Sequence, residues 1–561
     1  MKEKTNIKKL TKKITKQAKG ITLIALVVTI IVLLILAGVA ISLSIGNNGI
    51  FKRAQNSVEV WDEASKNEQD EMDKAIGAID GVDGNYNEDK KVNAPALKTG
   101  MTPVRFSEVT EAKKGEIIKT TREDDEWYSY EDKKWANAQT QDGSMWVWIP
   151  RYAYRIDNST QTTDVVFLIG TSDNYYDEQG KLQTAKRCKT KDEKVDTTTG
   201  YTVHPAFTNE TSIEYRNGGW DKELTGIWVS KFEAAYATSG ETPNKAPVKE
   251  SSVVYTSENV WAPVIEVQGV NPGATGQTDI QARNWLDGVY EANKEKIKYP
   301  TFQGSSYSMN YITINDANNI SRALTEEGNI YGLSNDTDSH LMKNSEWGAC
   351  TYLARDAKYG IGSNDIGQNT KNLNNGGVSE SKEQGNSKAS VYVVTGYNNN
   401  NNEWNDYLGN NKSSSTTGNI YGIYDLVGGA WERTTGYINN GNSNLQTNGA
   451  SVVVGQGKST KYATVYNHSE TGTTDDEKGN SNYKLNDKIY GDSVRETSTE
   501  GKGYTSWNGG ASYFPAGSSI SSGTFFNRGG HYADKNRGGT AAFGRSNASA
   551  IWHDGFRCVL V

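Results

Sequence analysis

The chain has 561 residues, with 60 lysines and arginines against 67 aspartates and glutamates, and its formal net charge is −7. This balance excludes the basic surface that a nucleic-acid-binding protein needs, so we expect no nucleic-acid partner. The 14 tryptophans, 31 tyrosines and 57 glycines favour aromatic-cored loops and turns over helical layers, in one large domain or two.

The first 45 residues have the pattern of a membrane anchor. Residues 1–20 carry eight lysines and a single acid, Glu3, and residues 21–45 contain no charged side chain. A helix of that length can cross a hydrocarbon core of about 30 Å. The lysines then place residues 1–20 in the cytoplasm and everything after residue 45 outside. A cleavable signal peptide is the alternative, although its apolar core would be shorter.

The junction between Gly20 and Ile21 resembles the processing signal of type IV prepilins. In that family the prepilin peptidase cuts after the glycine, here Gly20, and the new first residue, here Ile21, is methylated. The resemblance implies a basic leader over 1–20, a pilin-like helix over 21–45, and the prepilin peptidase, the membrane and other pilins as partners. Family members usually have glutamate at the fifth mature position, where this chain has Ala25. Abundant filament assembly is therefore not expected.

A second helix is predicted over residues 46–80. Apolar residues recur there at spacings of three and four, at Ile50, Ala54, Val58 and Trp61. A pilin-type stalk helix and a short amphipathic linker or coiled coil explain this pattern equally well. Residues 81–100 are polar and predict a linker, so we expect the globular domain to occupy 101–561.

Local patterns predict several elements within that domain. Residues 146–150 alternate bulky side chains and end at a proline, as a strand does, and 226–233 repeat the pattern. Residues 319–324 and 345–353 have helical patterns.

Two polar stretches interrupt this domain, one from about 398 to 418 and the other over 455–503. The first contains a run of asparagines, and both are rich in small polar residues. Because such compositions bury little apolar surface, we interpret both stretches as surface insertions.

Five segments in order resemble the formylglycine-generating-enzyme-like branch of the C-type lectin fold. They are 145–150, 227–233, 343–349, the Gly-Ile-Tyr-Asp run of 422–432, and the terminal pair Arg528-Gly529-Gly530 and Gly555-Phe556-Arg557. The resemblance covers about 145–561. It implies an α+β chain in which the transmembrane or pilin-like helix precedes a large C-type-lectin-like domain with loop insertions.

Single residues of these motifs have structural roles that elementary chemistry explains. Gly428 and Gly429 permit a turn with positive φ, which lets Trp431 fold under the loop. Arg528 and Arg557 have planar donor groups suited to a carboxylate or to main-chain carbonyls. A structural ion pair is the favoured role for both arginines over ligand binding.

The family contains oxidases as well as binding proteins. The oxidases hold copper with two closely spaced cysteines near the C-terminus, and soft thiolates suit Cu(I). Here Cys558 has no such neighbour, since Cys350 and Cys188 lie far away in sequence. A disulfide between Cys350 and Cys558 is the weak expectation for an exported chain.

The five histidines lack metal-ligand spacing, and the carboxylates are too scattered in sequence to argue for calcium. We therefore expect no catalysis and no cofactor, and calcium binding has no support in the sequence.

The family also contains the variable proteins of diversity-generating retroelements, whose C-terminal segment is diversified and binds ligands. The corresponding segment here is 526–561, which mixes aromatic, charged and small polar side chains as an antibody paratope does. The expected contact residues are His531, Tyr532, Asp534, Asn536, Arg537, Phe543, Arg545, Asn547, Ser549, Ile551, Trp552, His553 and Asp554. An ordinary irregular hairpin is the alternative for this segment.

These expectations combine into a surface-displayed adhesin or receptor, anchored in the membrane or associated with a pilus. Its partner would be a protein or glycan on another cell, a phage or a host surface. A formylglycine-generating-type oxidase and a structural minor pilin of fixed specificity are the alternatives.

Overall fold

A computed structural model describes residues 92–108, 115–188, 193–209, 218–236, 299–304, 308–309, 312–363, 395, 415–454, 460–501, 507, 513–517, 523–531, 538–551 and 553–561. The leader, the apolar segment and the second helix predicted over 1–80 lie outside these residues, as does the processing site at Gly20 and Ile21. Among the residues that the structure describes, no helix is both long enough and apolar enough to cross a bilayer.

The described residues of the compact unit Asn87–Val561 are built mainly from short strands. The strands are β1 Thr102–Phe106, β2 Ile117–Lys119, β3 Asn137–Gln139, β4 Met145–Pro150, β5 Tyr152–Asp157, β6 Thr162–Phe167, β7 Asn174–Tyr176, β8 Leu182–Thr184, β9 Thr202–Val203, β10 Gly226–Ser230, β11 Ala235–Tyr236, β12 Pro300–Thr301, β13 Ser339–Leu341, β14 Trp431–Ile438, β15 Thr464–Tyr466, β16 Phe525–Gly529, β17 Gly539–Ser546, β18 Asp554–Phe556 and β19 Cys558–Leu560. The helices are α1 Ile314–Arg322, α2 Asn344–Arg355, α3 Ser443–Thr447 and α4 Asp475–Leu485, with short 3₁₀ turns at Pro205–Phe207 and Ala323–Thr325.

Two sheets organise these elements. The larger has seven strands in the order β13-β19-β10-β4-β3-β1-β2, and all its pairs are antiparallel. The second has the order β15-β14-β16-β17, with β18 also paired to β14. Strand β14 is parallel to β15 and β18 but antiparallel to β16. Because β18 and β19 are separated only by Arg557, the chain passes there from the second sheet into the first.

The expected α+β architecture with an N-terminal membrane-spanning helix is wrong for the part of the chain that the structure describes. Strand makes up 29% of it and helix 14%, and it contains no helix that could span a membrane. The expectation relied on the resemblance to the C-type lectin fold and on the uncharged length of residues 21–45, which are outside the described ranges. In the domain itself the abundant aromatic residues favour strands, because their side chains pack well on a pleated surface.

Individual elements agree better with the sequence patterns. The strand expected at 146–150 is β4, and the one expected at 226–233 is β10 followed by an irregular turn. The helix expected at 345–353 lies within α2, and the one expected at 319–324 covers the end of α1 and the start of the 3₁₀ turn Ala323–Thr325. Gly428 and Gly429 have φ values of 78° and 67°, as predicted for the turn before the buried Trp431.

The interpretation of 455–503 as a surface insertion is wrong. Its described part contains α4, which begins at a capping box formed by Thr474 and Glu477. Tyr483, Ile489 and Val494 then pack in an apolar cluster with residues of β14, β16 and β17. A few apolar side chains of this stretch therefore contribute to the core, although its average composition is polar. The insertion predicted near 398–418 falls almost entirely outside the described residues.

The core is dominated by seven fully buried tryptophans. Each indole N–H finds an acceptor, so burial leaves none of these polar groups unpaired. The acceptors are the carbonyls of Asn137 for Trp127, Tyr359 for Trp135, Asn93 for Trp148, Ala206 for Trp220, Ala96 for Trp228 and Thr540 for Trp347, and the hydroxyl of Thr140 for Trp146.

The packing of α2 can be tested at Gly348. A Cβ at this position would lie 1.9 Å from the carbonyl oxygen of Gly491. Gly→Ala in an unobstructed helix stabilises by about 0.5–1 kcal/mol, but here we expect Gly348→Ala to destabilise by roughly 2–3 kcal/mol because backbone must move. Urea unfolding measures the change. Ser345→Ala in the same helix is the control, since the buried Ser345 hydroxyl has no described partner and its removal should change stability little. Equal effects of the two substitutions would contradict the close contact.

Candidate functional site

The C-terminal segment 526–561 contributes strands to both sheets. Strands β16 and β17 form an antiparallel pair, with Phe526 opposite Arg545 and Arg528 opposite Phe543. Strand β18 then runs parallel to β14, and β19 lies between β10 and β13 in the seven-stranded sheet. The segment is therefore integral to the fold, and its connecting residues are held at several points.

Arg557 is one of those points. Its Nε donates to Oε2 of Glu432 at 2.6 Å, and its Nη2 donates to Oε1 of the same carboxylate. The remaining donors reach the carbonyls of Ser230 at 2.9 Å and Tyr424 at 3.0 Å. Burial raises the pKa of Glu432 to about 7, although Arg557 acts in the opposite direction. The structural ion pair expected for Arg557 is confirmed.

Arg528 is anchored by main-chain carbonyls. Its Nε donates to the carbonyl of Ala542 at 3.1 Å, and its Nη1 and Nη2 donate to those of Asp492 and Ser493 at 2.7 and 3.0 Å. Burial lowers the pKa of Arg528 to about 10, so the guanidinium stays charged at neutral pH. Arg528 is structural, but the ion pair expected for it is not found among the described residues, because main-chain carbonyls take the place of a carboxylate.

Arg433 provides a third anchor that the sequence did not suggest. Its Nη2 lies 3.2 Å from Oδ2 of Asp554, and both side chains are buried. The same nitrogen donates to the carbonyl of Ser549. This contact fixes the turn between β17 and β18. Position 433 directly follows the Trp-Glu motif, but nothing in its spacing distinguishes a buried anchor from an exposed arginine.

Two of the expected contact residues are not exposed. Phe543 is fully buried in the apolar cluster that includes Phe526 and Tyr483. Asp554 is 1% exposed and pairs with Arg433. The expectation that these two side chains are displayed is therefore incorrect. Phe543 and Arg545 lie two positions apart and therefore share one face of β17; the strand is buried from Gly539 to Gly544 and becomes partly exposed only at Arg545 and Ser546.

The other described contact residues are partly exposed: His531, Arg545, Asn547, Ser549, Ile551 and His553. The rings of His531 and His553 meet edge to face, with centroids 5.4 Å apart, so these two residues, 22 positions apart in sequence, lie side by side. Asn547 accepts hydrogen bonds from the amide and hydroxyl of Ser549, so these two side chains also shape the turn. Tyr532, Asp534, Asn536, Arg537 and Trp552 lie outside the described residues.

Cys350 and Cys558 are both buried and are not joined by a disulfide, so the disulfide expected between them is wrong. Cys558 packs in the core, with its Sγ 3.1 Å from the hydroxyl of Ser321. Burial raises the pKa of Cys558 to about 12 and also raises that of Cys350. Within the described ranges, no three histidine, cysteine or carboxylate side chains group as a metal site requires.

The chain matches no protein-family model, and no curated protein matches it. The resemblances drawn from its motifs therefore stay predictions.

The Glu432–Arg557 pair predicts a marked asymmetry between single and double substitutions. Arg557→Met leaves a buried carboxylate without its cation, and we expect a loss of about 3–5 kcal/mol in the free energy of unfolding. Adding Glu432→Gln should recover part of that loss, because the unpaired charge is removed. Chemical denaturation of both single variants and the double variant gives the coupling energy. Additive effects of the two substitutions would contradict a direct buried pair.

Proposed function

We propose that this chain is a non-catalytic ligand-binding protein, an adhesin or receptor displayed on a bacterial cell surface. The apolar segment 21–45 serves as its membrane anchor, after processing by a prepilin peptidase or beside other pilins. Its contact region lies in 526–561, and its partner is a protein or glycan on another cell, a phage or a host surface. In this respect the chain resembles the variable proteins of diversity-generating retroelements.

One observation carries the proposal. The buried arginines hold the backbone of the segment through main-chain carbonyls, those of Ala542 and Ser549. A carbonyl is present whatever side chain the residue carries, so these two contacts do not depend on the side chains at positions 542 and 549, whereas the Arg433–Asp554 pair requires the aspartate. Partly exposed neighbours such as His531, Arg545 and His553 can then change without loosening the backbone. Rigid backbone beneath varied side chains is what a changeable binding surface requires.

The cysteine environment favours a binder over an oxidase of the formylglycine-generating type. Copper chemistry in those enzymes needs a pair of neighbouring thiolates. Cys350 and Cys558 are both buried, and burial raises the pKa of each thiol. Burial that disfavours the thiolate form gives neither cysteine the exposed, low-pKa character of a reactive thiol.

Substitutions in the segment should separate binding from stability. We expect His531→Ala, Arg545→Ala and His553→Ala to change which cells or phage the purified domain binds while leaving its melting temperature within about two degrees. Phe543→Ala, on the same strand as Arg545, should instead lose about 3–5 kcal/mol of stability. Lys181 is exposed in the turn that precedes β8, and Lys181→Ala is the control that should change neither property. Binding is measured by flow cytometry on a panel of cells and phage. Unfolding of the three exposed-site variants would contradict the proposal.

Sequencing tests whether the segment is diversified. Codons 526–561 are read deeply from a population grown from one cell, together with the adjoining DNA. We expect substitutions confined to adenine positions of a nearby template repeat. An invariant segment without a template or reverse transcriptase nearby would leave an adhesin or minor pilin of fixed specificity.

A further inference from the structure

A cavity of about 710 Å³ lies apart from the C-terminal segment. Its walls come from the turn between β5 and β6, from residues 194–198, from 487–490 and 495–499, and from Trp507. This volume falls in the range of about 300–1,000 Å³ that is typical of small-molecule sites. No residue of 526–561 lines it, so it can be assessed independently of the proposed function.

The side chain of Glu496 lines this cavity, and three hydrogen bonds hold its carboxylate in place. The hydroxyl of Tyr154 donates to its Oε1 at 2.7 Å, and that of Tyr352 donates to its Oε2 at 2.6 Å. The amide of Gly491 also donates to Oε2. The two tyrosine rings stack with centroids 4.7 Å apart, which restricts both hydroxyls. No cationic side chain of the described residues lies within ion-pairing distance of this carboxylate.

The side chain of Arg495 also lines the cavity, and an aromatic ring holds its guanidinium group in place. Its guanidinium carbon lies 3.5 Å from the centroid of the Tyr483 ring, and the Tyr483 hydroxyl is fixed by the carbonyl of Ser498 at 2.6 Å. Its Nε and Nη1 are buried without an acceptor among the described residues. Stacking on an aromatic ring restricts the guanidinium but supplies no carboxylate.

The remaining charges around the cavity are either satisfied or exposed. Lys194 pairs with Asp487 at 3.5 Å. Asp196 accepts hydrogen bonds from the amide and hydroxyl of Thr198 and from the hydroxyl of Thr199. Lys488 is exposed to solvent, where its charge is screened. One fixed anion and one fixed cation therefore remain without ionic partners in the same cavity.

We propose that this cavity binds a small zwitterion with an ammonium and a carboxylate group, such as a free amino acid. Glu496 receives the ammonium group and Arg495 the carboxylate. A ligand with only a negative charge would be repelled by Glu496, and one with only a positive charge by Arg495. The indole of Trp507, fixed by its hydrogen bond to Asn158 at 2.9 Å, supplies apolar wall for the rest of the ligand.

Titration calorimetry on the full-length chain tests this assignment with glycine, L-alanine and L-leucine as probes. Acetate, which carries only the negative charge, and methylammonium, which carries only the positive charge, are the control ligands and are called half-ligands below. We expect the amino acids to bind in roughly the micromolar to millimolar range and at least about tenfold more tightly than either half-ligand. Equal affinity for acetate or methylammonium, or no binding of any amino acid to the folded domain, would overturn the proposal.

Substitutions then connect the affinity to the two residues. Glu496→Gln keeps an acceptor for the tyrosine hydroxyls, and Arg495→Gln removes the cation. We expect each to weaken amino-acid binding by about tenfold or more, since each removes a charge-assisted contact. Asp487→Asn, at the same cavity but already paired with Lys194, should leave the affinity within about twofold. Unchanged affinity in the first two variants would contradict the assignment, and if either fails to fold, the comparison with half-ligands decides alone.

The pH dependence of binding gives a separate readout. Burial raises the pKa of Glu496 to about 7. The groups that face it are Tyr154 and Tyr352, whose pKa values burial raises well above 10, and the buried Asp492, whose pKa is also raised by burial. Because the ammonium group pairs with the ionised carboxylate, affinity should rise by up to about tenfold from about pH 6 to pH 8. Glu496→Gln should abolish that rise, and a rise that persists would contradict the role of Glu496.

Discussion

The buried ion pair between Glu432 and Arg557 is the contact on which both large sheets depend. Glu432 belongs to β14 in one sheet, while Arg557 precedes β19 in the other and also holds the carbonyls of Ser230 and Tyr424. A buried ion pair is stable only when its remaining hydrogen-bond donors and acceptors are satisfied. Burial and neighbouring carboxylates raise the pKa of Glu233 well above its usual range. The oxygens of this carboxyl accept hydrogen bonds from the amide of Ala430 at 2.8 Å and from the hydroxyl of Ser308.

Much of the local structure follows from the sequence because it depends on near neighbours. Alternating bulky residues ending in a proline predict Met145–Pro150, and helical spacing predicts α2. The two glycines before Trp431 predict a turn with positive φ, which is what the backbone adopts. The anchoring role of Arg557 could be anticipated as well, since a planar cation within an apolar motif needs fixed acceptors. Its particular partners could not, because they come from distant parts of the chain.

The failures share a physical cause, which is that burial is decided by tertiary contacts. Residues 455–503 have the composition of a surface insertion, yet Tyr483 and its neighbours are enough to close a core cluster. Phe543 and Arg545 look equally suited to display and share one face of β17, and only the tertiary cluster that covers Phe543 distinguishes their burial. The cavity at Glu496 had no sequence signal, because its carboxylate is held by tyrosines from a strand and a helix more than a hundred positions away.

The position of β19 has a consequence for how the protein is made. This strand lies between β10 and β13, and the contact from Arg557 to Ser230 joins residues 327 positions apart. During synthesis, β10 and β13 therefore lack the strand that joins them until residues 558–560 have emerged from the ribosome. Contacts of such long range slow folding, because a large loop must close before they form. A sheet that is completed this late leaves the edges of β10 and β13 unpaired in the nascent chain, which then needs protection from aggregation until β19 pairs.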